Sequence, residues 1–568
     1  MTSAVGSSGF RSDHLFLSAL FLAALPFYLW VFNRGFNVVD EGHFLLHADL
    51  LRKGFLPFRD FYFQHTPLSF WLQALLFRIF GPAMIVNRIY GLIQFLTLIP
   101  LFYAISRSLA ALPYAAIPPA IFIGFSAGFA RMGFYSIDSV YVDFLTLGAL
   151  ILFFRSGRLA WLFVAGFLSG LCFCIHQNSG GAAALTTVFA ALLVVKDRGR
   201  RAPWLGLMVS LAAGLIVPLL VLIVFAREGL ALDFLQAVFL AGGTKAWVWR
   251  LLPRLVLPVI GLFGLYLWAM VGLIRKAIQM PTPRARGWLA GLGLIHLAAL
   301  AVILAKGAGP LLLTAAAGLV PLGLPALSLY ALRSEPDLDQ VRRRTIQIAA
   351  AFVWMMMLFG ILSGFDLGHN LLYGVCSLVL LGYLSQRLND AVPETWQSRL
   401  HWALAAGAVG ALILGIGISL DNPTHPLSEE PLYQQTLPLN LPRGRGIRVS
   451  PLLKEEAEGI VAVVQRETRP QDPILVFPLG DMYYFLSDRV PATYWNFFFF
   501  ENFQPEDAPA AIAQIEQAKI PLVILTDPQG KLGSLLLNRN LKQVYTYILD
   551  HYQPGERYGR YRIYRRKT

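Results

Sequence analysis

Long apolar runs dominate this sequence. Between Leu15 and about Leu420 they recur at lengths of about 17 to 25 residues, which an α-helix needs to cross the hydrocarbon core of a bilayer. The chain is 56% hydrophobic and only 14% charged, whereas soluble domains are about 25% charged. We therefore expect an α-helical polytopic membrane protein with about 13 transmembrane helices.

The apolar runs stop after Leu420, and the remaining part of the chain is long enough for one soluble domain. A Pro-rich stretch, Asn422–Pro442, is typical of a linker. Beyond it, Ile474–Pro478 and Leu522–Thr526 resemble short buried strands, and Glu506–Lys519 has the pattern of an amphipathic helix. This predicts a membrane domain, a linker and a small α/β domain over residues 1–420, 421–442 and 443–568.

Basic residues predict the orientation in the membrane, because cytoplasmic loops carry an excess of Lys and Arg. Such residues cluster in alternate loops at Arg155/Arg158, Lys196–Arg201, Arg275–Arg286 and Arg342–Arg344. The loops His176–Gly181 and Ser363–Asn370 lie between them and contain neither Lys nor Arg. We expect a multi-pass protein of the cytoplasmic (inner) membrane, with the N-terminus inside and the α/β domain extracytoplasmic.

The formal net charge of +14 does not indicate nucleic-acid binding, because the basic residues are spread through the loops and form no basic domain. Contact with anionic membrane lipid explains them better. The three cysteines, Cys172, Cys174 and Cys376, lie in apolar runs, where they act as small hydrophobic residues. No disulfide or metal framework is predicted from them.

Two loops on the predicted outer side are long. In the first, residues 33–85, apolar residues recur at helical spacing from Leu68 to Ile79, which predicts a helix lying in the membrane interface. The second, residues 227–254, contains Lys245, Trp247, Trp249 and Arg250. This cluster is suited either to anchoring at headgroup depth or to binding a phosphate.

An acidic pair directly follows the first predicted span, in the sequence Val39-Asp40-Glu41-Gly42-His43. Carboxylates at membrane depth cost roughly 2.5 to 3.5 kcal/mol on insertion scales, so they tend to lie in polar cavities where they have a function. The structural alternative is a solvated turn in which Asp40 caps the following helix.

Three further elements share the outer side with this pair. Gln64-His65-Thr66-Pro67 lies in the first loop, Asn87-Arg88 opens the second span, and Tyr135-Ser136-Ile137-Asp138 lies at the outer end of the fourth. This order resembles C-type glycosyltransferases, particularly the aminoarabinose lipid A transferase and protein O-mannosyltransferase families. The motifs cover about the first 200 residues, and beyond them only the architecture is similar.

The resemblance implies the C-type glycosyltransferase fold and transfer of a sugar from a polyprenyl-phosphate lipid to an acceptor in the cell envelope. In these families a Lys-Pro or related element commonly opens the first-loop helix, whereas this chain has His65 before Thr66-Pro67. After the fifth span, where many relatives carry a lysine, it has His176-Gln177-Asn178. Both departures concern the groups that would meet the lipid phosphate.

The residue types fit this chemistry. A carboxylate that takes the acceptor proton supports in-line attack with inversion, and Asp40 is the candidate base, with Glu41 beside it. By family position, Asp138 would orient the acceptor or the base. A phosphate leaving group needs fixed cations, for which the candidates are His65, His176, Arg88, Lys245 and Arg250. A lone histidine is equally often a hydrogen-bonded structural residue.

Other interpretations stay open. His43 and His47 could bind a divalent metal with Glu41, but no third ligand with firm spacing appears, so no cofactor is expected. A lipid-linked sugar transporter or flippase would share the basic loops without needing Asp40 as a base. A non-catalytic membrane scaffold would use the α/β domain to bind a partner. Paired broken helices in two related halves would favour transport, and the sequence shows no such pairing.

Overall fold

The structure is a computed structural model that describes residues 7–126, 131–198, 202–240, 323–333, 335, 337–363, 374–421, 430–499, 503–528, 533, 536 and 538–567. The helices up to residue 421 include α1 (Ser7–Val31), α2 (Asp40–Lys53), α3 (Leu68–Phe80), α4 (Met84–Leu109), α5 (Ile117–Phe125), α6 (Tyr135–Ser156), α7 (Leu159–Phe173), α8 (Gln177–Arg198), α9 (Ala202–Arg227), α10 (Ala231–Leu235), α11 (Gln340–Ser363), α12 (Val379–Asp390) and α13 (Glu394–Asp421).

Apolar helices confirm that this is an integral membrane protein. Within the described residues, five stretches of helix are long and apolar enough to cross a bilayer, namely Asp13–Val31, Met84–Leu109, Tyr135–Ser156, Trp204–Arg227 and Glu394–Gly417. The predicted spans that fall within residues 241–322 lie outside the described part of the chain. The total of about 13 therefore stays a prediction.

Small residues let two of the membrane helices pack closely. A Cβ atom added at Gly166 of α7 would lie 2.2 Å from the carbonyl oxygen of Ser210 in α9, and one added at Gly170 would lie 2.0 Å from that of Gly214. Gly166 and Gly170 are four residues apart in α7, as are Ser210 and Gly214 in α9, so the two contacts lie on one face of each helix. Close backbone approach through small residues is the usual way in which membrane helices associate.

The first loop contains two helices of different character. The predicted helix is observed as α3, in which Phe70, Gln73 and Phe77 are buried while Leu72, Leu75 and Ile79 of the predicted apolar stripe are exposed. Helix α2 is polar but largely buried, and it ends at Gly54, whose φ of 94° lets its N–H reach the carbonyl groups of the last turn.

The C-terminal region, residues 430–567, has the strands β1 (Leu437–Pro438), β2 (Arg448–Val449), β3 (Leu475–Phe477), β4 (Leu522–Thr526), β5 (Tyr552–Tyr558) and β6 (Tyr561–Arg566). Four of them form a mixed sheet in the order β3-β4-β6-β5, and β1 and β2 form a short two-stranded ribbon. Its helices are α14 (Pro451–Glu467), α15 (Asp481–Ser487), α16 (Ala508–Gln517) and α17 (Lys542–His551). Strands β3 and β4 are parallel and every residue in them is buried.

The segment predicted as a linker contributes to this region. Leu432, Leu439 and Leu441 are buried, and β1 pairs with β2 in an antiparallel manner. The backbone N–H of Arg448 donates to the carbonyl oxygen of Asn33, at 2.7 Å. The C-terminal region is thereby joined to the start of the first loop, and one apolar core continues from α2 into α14 and α15.

Candidate functional site

Asp40 lies in the first turn of α2, in a loop that Asn37 organises. The side-chain oxygen of Asn37 accepts hydrogen bonds from the backbone N–H groups of Val39 and Asp40, at 2.8 and 2.9 Å. Its amide nitrogen donates to Oδ2 of Asp40 at 3.2 Å. Asp40 is half-buried, and its own side chain does not cap the helix, whose N-cap residue is Val39. The alternative in which Asp40 serves only as a cap is therefore not observed.

Glu41, the second member of the acidic pair, lies in a different environment. It is buried, and its carboxylate lies 2.8 Å from Nη2 of Arg88, a residue of α4 that is also fully buried. The same Nη2 donates to the carbonyl oxygen of Gly35 at 2.7 Å, and the N–H of Asn37 donates to Glu41 at 3.1 Å. Arg88 thus holds Glu41 and the loop before α2, and in this geometry its charge is directed at a carboxylate.

Asp138 joins three helices. One of its oxygens accepts hydrogen bonds from the hydroxyl of Tyr90 at 2.8 Å and from the amide of Gln94 at 2.6 Å, both in α4. The other accepts a hydrogen bond from the hydroxyl of Ser69 in α3. Since Asp138 is buried with these three donors, the geometry suits it to fixing the start of α3 rather than to taking a proton.

A continuous series of rings connects α2 with the start of α8. The centroids of His47 and His43 are 3.9 Å apart, those of His43 and His65 are 5.6 Å apart, and those of His65 and Tyr135 are 4.6 Å apart. Tyr135 stacks in turn on His176, with centroids 5.6 Å apart. We call these five residues the ring series. It brings the two predicted phosphate-binding histidines, His65 and His176, into contact with the same tyrosine.

Asp40 shares a face of α2 with two members of this series. His43 and His47 follow Asp40 by three and seven residues, and residues at these intervals lie on one side of an α-helix. His65, which contacts His43, therefore lies on the side of α2 from which the Asp40 side chain starts.

The C-terminal region contributes two residues that the sequence did not predict. Oδ2 of Asp481 lies 3.0 Å from Nδ1 of His43 and accepts a hydrogen bond from the amide of Asn496 at 2.9 Å. The side-chain oxygen of Asn496 lies 3.2 Å from Nε2 of His47. One sequence feature could have indicated Asp481, namely that it follows the predicted strand β3. Functional groups often gather at the carboxyl ends of parallel strands.

Burial controls the charge of these groups. Desolvation raises the pKa of Asp481, and the contacts with His43 and Asn496 offset that rise in part. Desolvation lowers the pKa of His47 well below its usual value, and the neighbouring His43 and His65 act in the same direction. His47 is therefore neutral at physiological pH.

The far end of α2 has a second polar contact with the C-terminal region. Nη1 of Arg443 lies 2.9 Å from the buried Asp49, and Lys53 lies 3.1 Å from it. Burial alone would raise the pKa of Asp49, but these two cations lower it below its usual value. Arg443 and Lys53 also pair with Asp488, so α2 is held at both ends.

A cleft of about 380 Å³ lies beside the ring series. Its lining residues come from the first loop, from α10 and the helical turn after it, and from the C-terminal region, and they are Phe58, Tyr62, Phe63, Asp233, Gln236, Ala237 and Tyr494. Phe63 contacts the rings of both His47 and His65, so this side chain separates the cleft from the ring series.

Two predicted site residues cannot be compared with the geometry above. Lys245 and Arg250 lie outside the described residues. Across the part of the chain that the structure describes, no three His, Cys, Asp or Glu side chains are grouped as metal ligands would be. Glu41, which could bind a metal together with His43 and His47, is paired with Arg88 instead.

No protein-family model matches the chain, and no curated protein matches its sequence. Among solved structures, the chain is similar to two crystal structures of ArnT from Cupriavidus metallidurans, one in the apo state and one bound to undecaprenyl phosphate. Each match has 14% identity and covers 98% of both chains, with TM-scores of 0.48 and 0.43. Values this low assign no activity, so the function is inferred below from the site. ArnT is an aminoarabinose lipid A transferase.

Proposed function

We propose that this protein is an inverting glycosyltransferase that moves a sugar from a polyprenyl-phosphate carrier to a cell-envelope acceptor. The observation that carries the proposal is the division within the acidic pair. Glu41 is buried and paired with Arg88, whereas Asp40, one residue away, is half-buried at a fixed helix start. A general base must be reachable by its substrate and held in place, and Asp40 meets both conditions.

In the proposed reaction, the Asp40 carboxylate takes the proton of an acceptor hydroxyl while that oxygen attacks the anomeric carbon of the donor sugar. The bond between this carbon and the phosphate oxygen breaks, and the carrier phosphate leaves with the electron pair. Attack from the side opposite the phosphate inverts the anomeric configuration. Asp138 supports the reaction indirectly, by holding Ser69 and with it the segment that contains His65.

The departing phosphate needs positive charge or hydrogen-bond donors. His65 and His176 both contact Tyr135 and are the proposed donors in the described part of the site. Lys245 and Arg250 of the second long loop are proposed as further cations. Arg88 we assign to Glu41 rather than to the phosphate, because its guanidinium already contacts that carboxylate and the carbonyl of Gly35. No cofactor enters this scheme.

The proposed architecture is a membrane domain with about 13 spans over residues 1–420, a connection at 421–442 whose residues 430–442 pack into the C-terminal region, and an extracytoplasmic α/β domain at 443–568. The contacts of α2 support a common side for the acidic pair and the C-terminal region, because His43 and Asp49 touch that region directly. The acceptor, a glycolipid, polysaccharide or protein, would approach from the same side.

The direct test offers the purified protein in lipid nanodiscs either a polyprenyl-phosphate sugar or a soluble nucleotide sugar. Undecaprenyl phosphate, the lipid in one of the similar structures, supplies the first carrier. Comparing lipid extracts from cells with and without the gene by mass spectrometry identifies the sugar. We expect transfer from the lipid donor alone, and loss of about 10² to 10⁴-fold in Asp40→Asn, because the amide keeps the shape and loses the base.

Asp60→Asn is the matched control, since Asp60 lies in the same loop and pairs with the exposed Arg59. Transfer from the nucleotide donor alone would contradict the lipid-donor proposal. Movement of the lipid-linked sugar across the bilayer without transfer would favour a flippase instead.

A further inference from the structure

The first turn of α2 is packed against the backbone of the C-terminal region. The N–H of Met482, in α15, points to the carbonyl oxygen of Val38 at 3.4 Å. A Cβ atom added at Gly42 would lie 2.3 Å from the backbone nitrogen of Met482. Val38 and Gly42 precede and follow Asp40 by two residues, so the backbone on both sides of the candidate base touches one residue of α15.

A buried polar contact adjoins this backbone contact. His43 and Asp481 are 8% and 0% exposed at their side chains, and Nδ1 of His43 donates to the carboxylate. Asn496 donates to the same oxygen of Asp481, which leaves its own side-chain oxygen to accept from Nε2 of His47. Two successive turns on the Asp40 face of α2 are therefore oriented by one pair of C-terminal side chains.

Stability alone does not account for such a contact. Buried pairs of titratable groups often contribute little, because desolvation offsets their attraction, and an apolar pair of similar volume would pack as well. Apolar contacts are already abundant here, since α2 and α15 share one core. What a directional contact adds is a fixed orientation of the helix start, and small displacements of a reacting group can cost about 10²-fold in rate.

We propose that Asp481, acting through His43, is a positioning residue for Asp40, so that the C-terminal region sets the geometry of the reacting carboxylate. The inference rests on the proposed function, in which Asp40 is the base. Glu41 and Arg88 fix the same helix turn from the side of the membrane helices, and Asp481 fixes it from the other. The C-terminal region is then a part of the catalytic unit rather than an appended module.

The test compares Asp481→Asn, His43→Gln and the double variant in the transfer assay with the lipid-linked donor. Both substitutions nearly preserve size. We expect kcat to fall by about 10 to 100-fold in each single variant while KM for the donor changes less, because neither Asp481 nor His43 is itself a proposed phosphate-binding residue. If the two residues act as one unit, kcat of the double variant should be no lower than kcat of the more impaired single variant.

Asp488→Asn is the matched control. Asp488 belongs to the same region and also contacts α2, but it does so at Lys53, about 20 Å along the helix from Asp40. Hydrogen exchange of the peptide spanning residues 37–46 gives a readout that is independent of catalysis. It should be faster in Asp481→Asn and unchanged in Asp488→Asn.

The outcomes separate the two ideas. A wild-type kcat in Asp481→Asn, or an equal fall in Asp488→Asn, would overturn the positioning role. Transfer by the wild type that is lost in Asp40→Asn but kept in Asp481→Asn overturns the positioning role alone. A wild type that transfers nothing from any lipid-linked donor overturns both.

Discussion

Glu41 and Arg88 form an ion pair inside the protein, with 2.8 Å between a carboxylate oxygen and Nη2 and with side-chain exposures of 2% and 0%. Removing one member leaves the other charge buried, which typically costs about 3 to 5 kcal/mol. We expect Arg88→Met to lower the free energy of unfolding by about that amount, and the double variant with Glu41→Gln to recover a large part of it. Unfolding in detergent measures the effect.

The exposed pair of Arg59 with Asp60 supplies the control for that series. Arg59→Ala should leave the free energy of unfolding nearly unchanged, because a surface pair is screened by water. Equal destabilisation by Arg59→Ala and Arg88→Met would contradict a special role for the buried pair.

Asp138→Asn should reduce both stability and transfer. The carboxylate accepts from Ser69, Tyr90 and Gln94, and an amide would present N–H groups to at least one of these donors. A buried donor left without an acceptor costs about 1 to 3 kcal/mol, and the segment that contains His65 loses its anchor. The transfer assay and thermal unfolding check the two effects.

Asp143→Asn is the comparison. Asp143 is buried in the same helix, but its partners are Cys172 and Ser179 rather than residues of the first loop. Its substitution should destabilise without a comparable fall in the rate per folded molecule. A normal rate in Asp138→Asn would show that the alignment of the fourth span with the family is wrong, and Asp143 would be the next candidate.

Local patterns were sufficient for the elements whose periodicity or length is distinctive. The helix predicted in the first loop appears as α3, and the two predicted buried strands appear as β3 and β4. The hairpin of β5 and β6 was not predicted, because β5 contains Gln553, Glu556 and Arg557 and lies at the edge of the sheet. An edge strand has less need of the apolar alternation that marks buried strands.

The site was predictable only where the sequence itself carries the information. Asp40 was singled out because carboxylates after a membrane span are costly, and that argument needs no partner. The contact between His43 and Asp481 joins positions 438 residues apart, so no local pattern contains it. Arg88 was predicted to bind phosphate because the sequence shows its charge. Only the fold shows that this charge is paired with the buried Glu41.

His65→Gln should weaken use of the lipid-linked donor. A charge-assisted contact in a shielded site is worth about 1.5 to 3 kcal/mol, so kcat/KM for the donor should fall by about 10 to 150-fold. Glutamine retains a hydrogen-bond donor but cannot carry a positive charge, so the loss reflects the charge of the contact. His401→Gln is the control, because His401 contacts Tyr114 and lies outside the ring series. A wild-type kcat/KM in His65→Gln would remove this residue from the phosphate site.

A reporter fused after Thr568 should be extracytoplasmic, and one inserted at Arg342–Arg344 should be cytoplasmic, since basic clusters set the orientation. Insertion near Arg155 should give the same result as Arg342–Arg344, because both clusters are predicted to face the same side. A cytoplasmic signal after Thr568 would make the number of spans even and place the C-terminal region away from the proposed acceptor.

Acid should weaken the packing of α2, and His47 should be a main cause. Burial, reinforced by His43 and His65, lowers the pKa of His47 well below 6.5, so the folded protein keeps this imidazole neutral. The unfolded chain takes up a proton as the pH falls through about 6.5, which favours unfolding by at most about 1.4 kcal/mol for each pH unit below that value. The free energy of unfolding is therefore not lowered by His47 above about pH 6.5, and it falls progressively below that pH. The raised pKa of Asp481 acts in the opposite direction, because the folded protein binds that proton at a higher pH than the unfolded chain does.

His47→Gln isolates the histidine contribution, because glutamine can still donate to Asn496 but cannot take up a proton. Thermal unfolding between about pH 5 and pH 7.5 should show a smaller loss of stability in this variant than in the wild type, whereas substitution of the exposed His551 by glutamine should leave the wild-type profile unchanged. Parallel curves for wild type and His47→Gln would contradict the assignment of acid sensitivity to His47. Because His47 shares its helix face with Asp40, loss of transfer at low pH should accompany the loss of stability in the wild type and be smaller in His47→Gln.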